Sequence, residues 1–212
     1  MPSITRRPSG GADRRLPVEA RILDTTRRLL GEGVTFTELG VQRIAREAEV
    51  ARSTFYTHFA DKTQLLLRLA ESMSQTSFDV AATWRPTPGE DAPGALTEVF
   101  RQVVRIYRRH AAVLVAINEV GAYDPVVREF WVSRLERFTR STEALVRAEQ
   151  ESGRAPHDLD PVQASRLVVL GGDRYLTHHV VVDDGGGDES AARELAATWW
   201  YGVYRRPIGQ PA

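Results

Sequence analysis

Residues 34–69 read VTFTELGVQRIAREAEVARSTFYTHFADKTQLLLRL. Two short helical patterns flank a tight turn within this stretch. The first runs from about Val41 to Ala48 behind Gly40 as its cap, and sets Ile44 and Ala45 on an inner face. A small residue there lets a second helix cross closely. Val50 plugs the turn. The second pattern runs from about Arg52 to Phe59 and puts Phe55 and Phe59 one turn apart, where both can anchor the helix to a core. Arg52, Ser53, Thr54, Tyr56 and His58 are left at its start or on its outer side. Asp61 then reads as the N-cap of a long helix from Lys62 to near Trp84, with Leu65, Leu66, Leu69 and Met73 on its apolar side. A helix-turn-helix inserts the start of its second helix into the major groove. Arginine reads guanine through two hydrogen bonds, and serine and threonine adapt to several base edges.

Outward from this stretch the pattern stays helical. Pro17 suits a first helical position. Val18, Ile22, Leu23, Thr26, Leu29 and Leu30 share one face, and Gly31 and Gly33 end that helix. Residues 1–16 carry Pro2, Pro8, Gly10 and Gly11 among arginines and read as a disordered basic arm, either a frayed terminus or a DNA-contacting one. Pro86, Pro88, Gly89, Pro93 and Gly94 predict a linker. Further helices are expected from Leu96 to about Arg108, His110 to Val120, Pro125 to Ser152, Pro161 to Val182 and Ser190 to Tyr204. Asp124-Pro125 and Asp160-Pro161 form matched cap and first-turn pairs. Gly185, Gly186 and Gly187 make the last loop flexible. The predicted fold is all-α: a three-helix DNA-binding head over residues 17–62, a ligand-binding and dimerisation domain of about six helices over 63–206, and a tail over 207–212.

The chain has 212 residues with 28 basic and 28 acidic side chains, so it is neutral overall. A DNA-binding protein needs positive charge only where phosphates sit. Lys62 is the single lysine. The absence of cysteine excludes disulfides, thiolate nucleophiles and zinc–thiolate sites. No apolar run reaches the roughly 18 residues that span a bilayer, and the N-terminal arginines precede no apolar segment of a secretory signal. A cytoplasmic protein without membrane contact is expected. His178 and His179 are adjacent and diverge by about 100° on a helix, so they cannot both hold one ion. Asp173 and Arg174 read as a structural pair. The glycine pairs lack the strand and following Lys-Ser/Thr of a phosphate loop. No metal, cofactor or enzymatic activity is expected.

The ordered string Ile44-Ala45, Val50, Thr54-Phe55-Tyr56-Thr57-His58-Phe59 and Asp61-Lys62 resembles the DNA-binding head of the TetR/AcrR family of transcriptional regulators. The resemblance implies that Tyr56, His58 and Lys62 hold phosphates, that Arg52, Ser53 and Thr54 face bases, and that Gln42 touches the backbone. It implies a homodimer on a palindromic double-stranded operator, more often a repressor than an activator. Two positions depart from the pattern. Glu49 stands where members carry glycine in the turn, at a cost if φ is positive. Ala51 stands where serine caps the recognition helix, forfeiting about 1 kcal/mol. Both bear on turn geometry and DNA affinity.

In the second domain Trp131, Leu135, Phe138, Thr142 and Leu145 fall on one side of a helix. Taken alone this is a core face. The order of this region, with Glu149–Gly153, Asp173-Arg174 and Trp199 to Tyr204, is similar to the mycobacterial ethionamide-response branch of the same family. That resemblance implies a long apolar tunnel with Trp131, Leu135, Phe138, Thr142 and Trp199 on its wall, joined by Val103 and Tyr107, and a small apolar effector within it. The branch binds ligand through asparagines where this chain carries Val169 and Gly172. The last two helices are the expected dimer surface. The rival reading is a helical ligand carrier or a degenerate enzyme, with a vestigial head.

Overall fold

In the computed structural model, residues 17–86, 91–183 and 186–205 are described. They form α1 (Val18–Gly31), α2 (Val41–Glu47), α3 (Arg52–His58), α4 (Lys62–Ala82), α5 (Ala92–Arg109), α6 (Ala111–Gly121), α7 (Pro125–Glu151), α8 (Pro161–Val182) and α9 (Asp188–Trp199). A wider, π-helical turn over Trp200–Tyr204 follows α9. No strand occurs among the described residues. The basic arm, Pro88 and Gly89 of the expected linker, Gly185 and the tail lie outside them.

Aspartate caps set the starts of α4, α5, α7 and α8. The Asp61 carboxylate accepts from the Gln64 N–H at 2.8 Å, Asp124 from Val126 at 2.8 Å, and Asp160 from Val162 at 2.9 Å. Each satisfies a first-turn donor that the helix itself leaves free. The same device shifts one boundary. α5 begins at Ala92 and not at Leu96, because Asp91 accepts from the Gly94 N–H at 3.1 Å. Pro93 falls in the first turn, where its missing N–H costs nothing. α9 starts two residues earlier than expected, behind Gly187 at φ 86°, and gives way after Trp199 to the wider turn.

Two cores hold the helices. One gathers Ile22, Leu29, Phe36, Ile44, Phe55 and Phe59 of the head with Leu65, Leu66 and Leu69 of α4 and Val113, Ile117 and Val120 of α6. The other gathers Met73 of α4 with Phe100 and Tyr107 of α5, Val146 of α7, Leu176 of α8 and Trp199 of α9. The first core therefore spans both sides of the division at residue 62/63. α4 and α6 complete the core of the head.

The turn between α2 and α3 carries the two departures in the form anticipated. Glu49 adopts φ 53°, the left-handed region that favours glycine. Ala51 occupies the N-cap of α3 with no side-chain hydrogen bond. Glu49→Gly and Ala51→Ser are each expected to stabilise the protein by about 1 kcal/mol. For a chain of this size that is a rise of about 2–4 °C in melting temperature, read by circular dichroism. Unchanged melting in both variants would show that neither the strain nor the missing cap matters energetically.

Candidate functional site

Ile44 and Phe55 are fully buried, and the Phe55 and Phe59 rings lie 5.5 Å apart. This inner face fixes the outer one. Arg52, Ser53, Tyr56 and His58 are exposed along α3, Thr54 is half-buried, and Gln42 is exposed on α2. Arg52 rests on its neighbour one turn on: Nη2 donates to the Tyr56 hydroxyl at 3.4 Å, and the guanidinium lies 5.7 Å from the ring centroid. Arg43 and Arg46 are exposed beside Gln42. Sequence reading passed over them, although Ile44 and Ala45 on the inner face already implied their outward position. Arg46 reaches Glu47 at 3.5 Å, and Glu47 is also held by Arg28 at 3.1 Å. The Arg28 hydrogen bond keeps the Glu47 carboxyl below its ordinary pKa. No ion pair to Arg43 occurs among the described residues.

Lys62 lies differently from its neighbours on this surface. Its Nζ donates to the Phe36 carbonyl at 2.7 Å and the Thr37 carbonyl at 3.0 Å, and stands 4.8 Å from the centre of the Phe36 ring. Burial pushes its pKa down, against the attraction of Glu119. Thr37 is held in turn: its N–H donates to Glu119 at 3.1 Å, its hydroxyl also reaches Glu119, and it lies 3.1 Å from the Tyr123 hydroxyl. The ammonium is thus engaged inside a joint between the head, α4 and α6. Two of its three donors are taken up, so the expected phosphate contact has to share the ammonium with these carbonyls.

Behind the head, α4, α5, α7, α8 and α9 enclose a chamber of about 610 Å³. Val103, Tyr107, Leu135, Phe138, Thr142 and Trp199 lie on its wall. Trp131 does not, contrary to the expectation from resemblance. It packs against both cores. Sequence reading missed Phe78 and Phe100, which line the chamber. Phe78 stacks on Phe138 with centroids 5.1 Å apart, and Phe100 meets Trp199 edge to face at 5.2 Å. Phe78 lies on α4, which the sequence reading credited only with its leucines and Met73. The Thr142 hydroxyl donates to the Phe138 carbonyl at 3.1 Å, so it is taken up by its own helix.

Asp173 also lines the chamber. It accepts from the Tyr107 hydroxyl at 3.0 Å. Burial raises its pKa, and the hydrogen bond from Tyr107 opposes that rise. The expected pairing with Arg174 is not formed: Arg174 acts only through space, because adjacent side chains on a helix diverge. His179 bridges Asp183 and Asp188, each at 2.8 Å, and Arg108 pairs with Asp188 at 2.6 Å. This network fastens the end of α8 to α9 and α5. No cluster able to hold a metal ion occurs among the described residues, and none of their helices is long and apolar enough to cross a membrane.

The Lys62 geometry predicts an outcome. Lys62→Met keeps an apolar stem near Phe36 and removes the donors to Phe36 and Thr37. It should lower the melting temperature while changing the slope of log K against log salt by less than about half a unit. A change of about one unit would place the ammonium on a DNA phosphate.

Comparison with known proteins accords with this arrangement. Residues 22–69 match the family of bacterial regulatory proteins described as the tetR family, and residues 96–205 match the C-terminal domain of the transcriptional regulator EthR. The chain is 32% identical over 171 residues to the HTH-type transcriptional regulator EthR of Mycolicibacterium smegmatis, covering 79% of this chain and 75% of that one. It is 28% identical over 173 residues to the EthR of Mycobacterium tuberculosis, covering 81% and 77%. Among solved structures, the fatty acid degradation regulator FadR from Bacillus halodurans superposes with a TM-score of 0.71 at 18% identity, covering 90% of this chain and 98% of that one. That likeness is one of fold alone. With a helix-turn-helix head and an EthR-like helical domain joined through α4, the chain belongs to the TetR family of bacterial transcriptional regulators, in the branch of EthR.

Proposed function

We propose that this protein represses transcription by holding a palindromic operator through two identical heads, and releases it when a small, mainly apolar effector enters the chamber. The observation that carries this reading is the path of α4. One unbroken helix places Leu65, Leu66 and Leu69 in the core of the head and Phe78 on the chamber wall. A ligand that separates Phe78 from Phe138 displaces a rod whose far end positions α1, α2 and α3. Such a ligand acts only if it binds the DNA-incompetent arrangement more tightly. A tenfold release corresponds to about 1.4 kcal/mol of coupling.

In this reading Arg52, Ser53 and Thr54 face bases. Tyr56, His58 and Gln42 hold phosphates, and Arg43 joins them. Residues 17–62 form the reading head and residues 63–206 the sensing and dimerising part, with α4 shared. The dimer forms through α8 and the last turns, supported by the exposed side chains of Leu167, Tyr175, Val182 and Tyr201. An added Cβ at Gly171 or Gly202 would meet no atom within 4 Å, which leaves room for a second copy to approach closely. Two-fold symmetry then sets half-sites about one helical turn apart, roughly 34 Å. A regulator of this kind works in the bacterial cytoplasm, where the DNA is.

Selection of bound sequences from random DNA would supply the operator. On it, Arg52→Ala is expected to weaken binding by about 1–3 kcal/mol and relax preference at one position per half-site. Wild-type affinity in a titration would remove Arg52 from base reading.

Phe138→Trp tests the sensor. The larger ring should partly fill the chamber, mimic a ligand and weaken operator binding, with little change in melting. If Phe138 is only a core residue, overpacking should instead cost about 1–3 kcal/mol of stability and leave operator binding intact. Thermal melting and operator titration on the same variant separate these outcomes.

A further inference from the structure

The chamber wall is apolar where the branch would supply ligand-binding asparagines. Val169 and Gly172 stand there, and both line the chamber. The next residue, Asp173, brings a carboxylate to the same wall. Its position is unusual in its partners. The donor to it among the described residues, the Tyr107 hydroxyl at 3.0 Å, is neutral. No ion pair to Asp173 is found within 4.0 Å among the described residues, and Arg174 reaches it only through space. The other acid on the wall, Asp79, is exposed and accepts from Gln75 at 2.8 Å.

We propose that the effector is a cationic amphiphile, with an apolar body in the aromatic part of the chamber and one ammonium group held at Asp173. This rests on the reading of the chamber as the effector site and narrows its chemistry. A carboxylate offers about four acceptor positions, and one neutral donor leaves room for more. The Tyr107 hydroxyl gives its proton to Asp173, so its oxygen is a further acceptor beside it. An ammonium has three donors and no acceptor, which matches such a pair. At Asp173 a ligand carboxylate would meet like charge and a hydroxyl proton already committed, although Arg85 and Arg137 also line the chamber. Burial of an aspartate among neutral partners is costly, and a ligand cation offsets that cost. Burial raises the pKa of Asp173 for the same reason.

The test compares three probes of equal chain length at neutral pH: decylamine, decanol and decanoate. Binding is read from the emission of Trp84 and Trp199, which line the chamber. On the wild type, decylamine is expected to bind about tenfold or more tightly than decanol, as a charge-assisted hydrogen bond allows, and decanoate most weakly. Asp173→Asn keeps an oxygen that can accept from Tyr107 but removes the charge. It should bring decylamine to the level of decanol and leave decanol within about twofold of the wild type. Decanol equal to or tighter than decylamine on the wild type overturns the assignment, whether or not the variant folds. So does an amine preference that survives in Asp173→Asn. If none of the three probes binds, the effector chamber falls as well. If decanol binds and decylamine gains nothing, only the ammonium assignment falls.

Discussion

Helix α4 belongs to two cores at once, and this constraint organises the molecule. Its first turns are fixed by Leu65, Leu66 and Leu69 against the head, and its later turns by Met73 and Phe78 against the chamber. Protein cores pack as densely as organic crystals, so a helix held at both ends does not deform smoothly. It moves as a rod or not at all. The reading surface on α3 is therefore positioned by residues far from it in sequence, and the chamber reports to it through a single rigid element.

Two further joints run beside that rod. Lys62 ties the start of α4 to the carbonyls of Phe36 and Thr37, and Glu119 and Tyr123 of the α6 region hold Thr37 from the other side. Trp131 packs on both cores. Both joints lie between packed surfaces that have to shift together. Interfaces of that kind tend to have discrete arrangements, which in the proposed reading is how a local ligand contact becomes a change of head spacing.

The head was legible because its rules are local. Phe55 and Phe59 one turn apart, Asp61 ahead of an apolar run, and Asp-Pro at two helix starts each predict structure within a few residues, and each took the predicted form. The α5 boundary was misread because Pro93 and Gly94 look like breakers until Asp91 is recognised as a cap. The chamber was less legible. A helix face gives the direction of a side chain but not its depth. Trp131 and Phe138 share a helix face in α7, yet one lies behind the wall and the other on it. Phe78 reached the chamber from α4, whose apolar side was read only from its leucines and Met73. The Lys62 geometry was beyond sequence, because its partners are main-chain carbonyls 25 and 26 residues away.

The left-handed Glu49 has a consequence for occupancy and not for affinity. Strain of about 1 kcal/mol multiplies the population of open turns roughly fivefold. A binding partner that needs the closed turn is weakened only by the fraction of molecules that are open. While that fraction is small, operator affinity barely registers the strain. The lifetime of the hydrogen-bonded turn does register it. Amide protons between α2 and α3, such as that of Val50 bonded to the Ala45 carbonyl at 3.0 Å, exchange with solvent through those rare openings. The unfavourable φ of a single glutamate is thus written into the hydrogen-exchange clock of the reading head, where equilibrium titration with DNA is nearly blind to it.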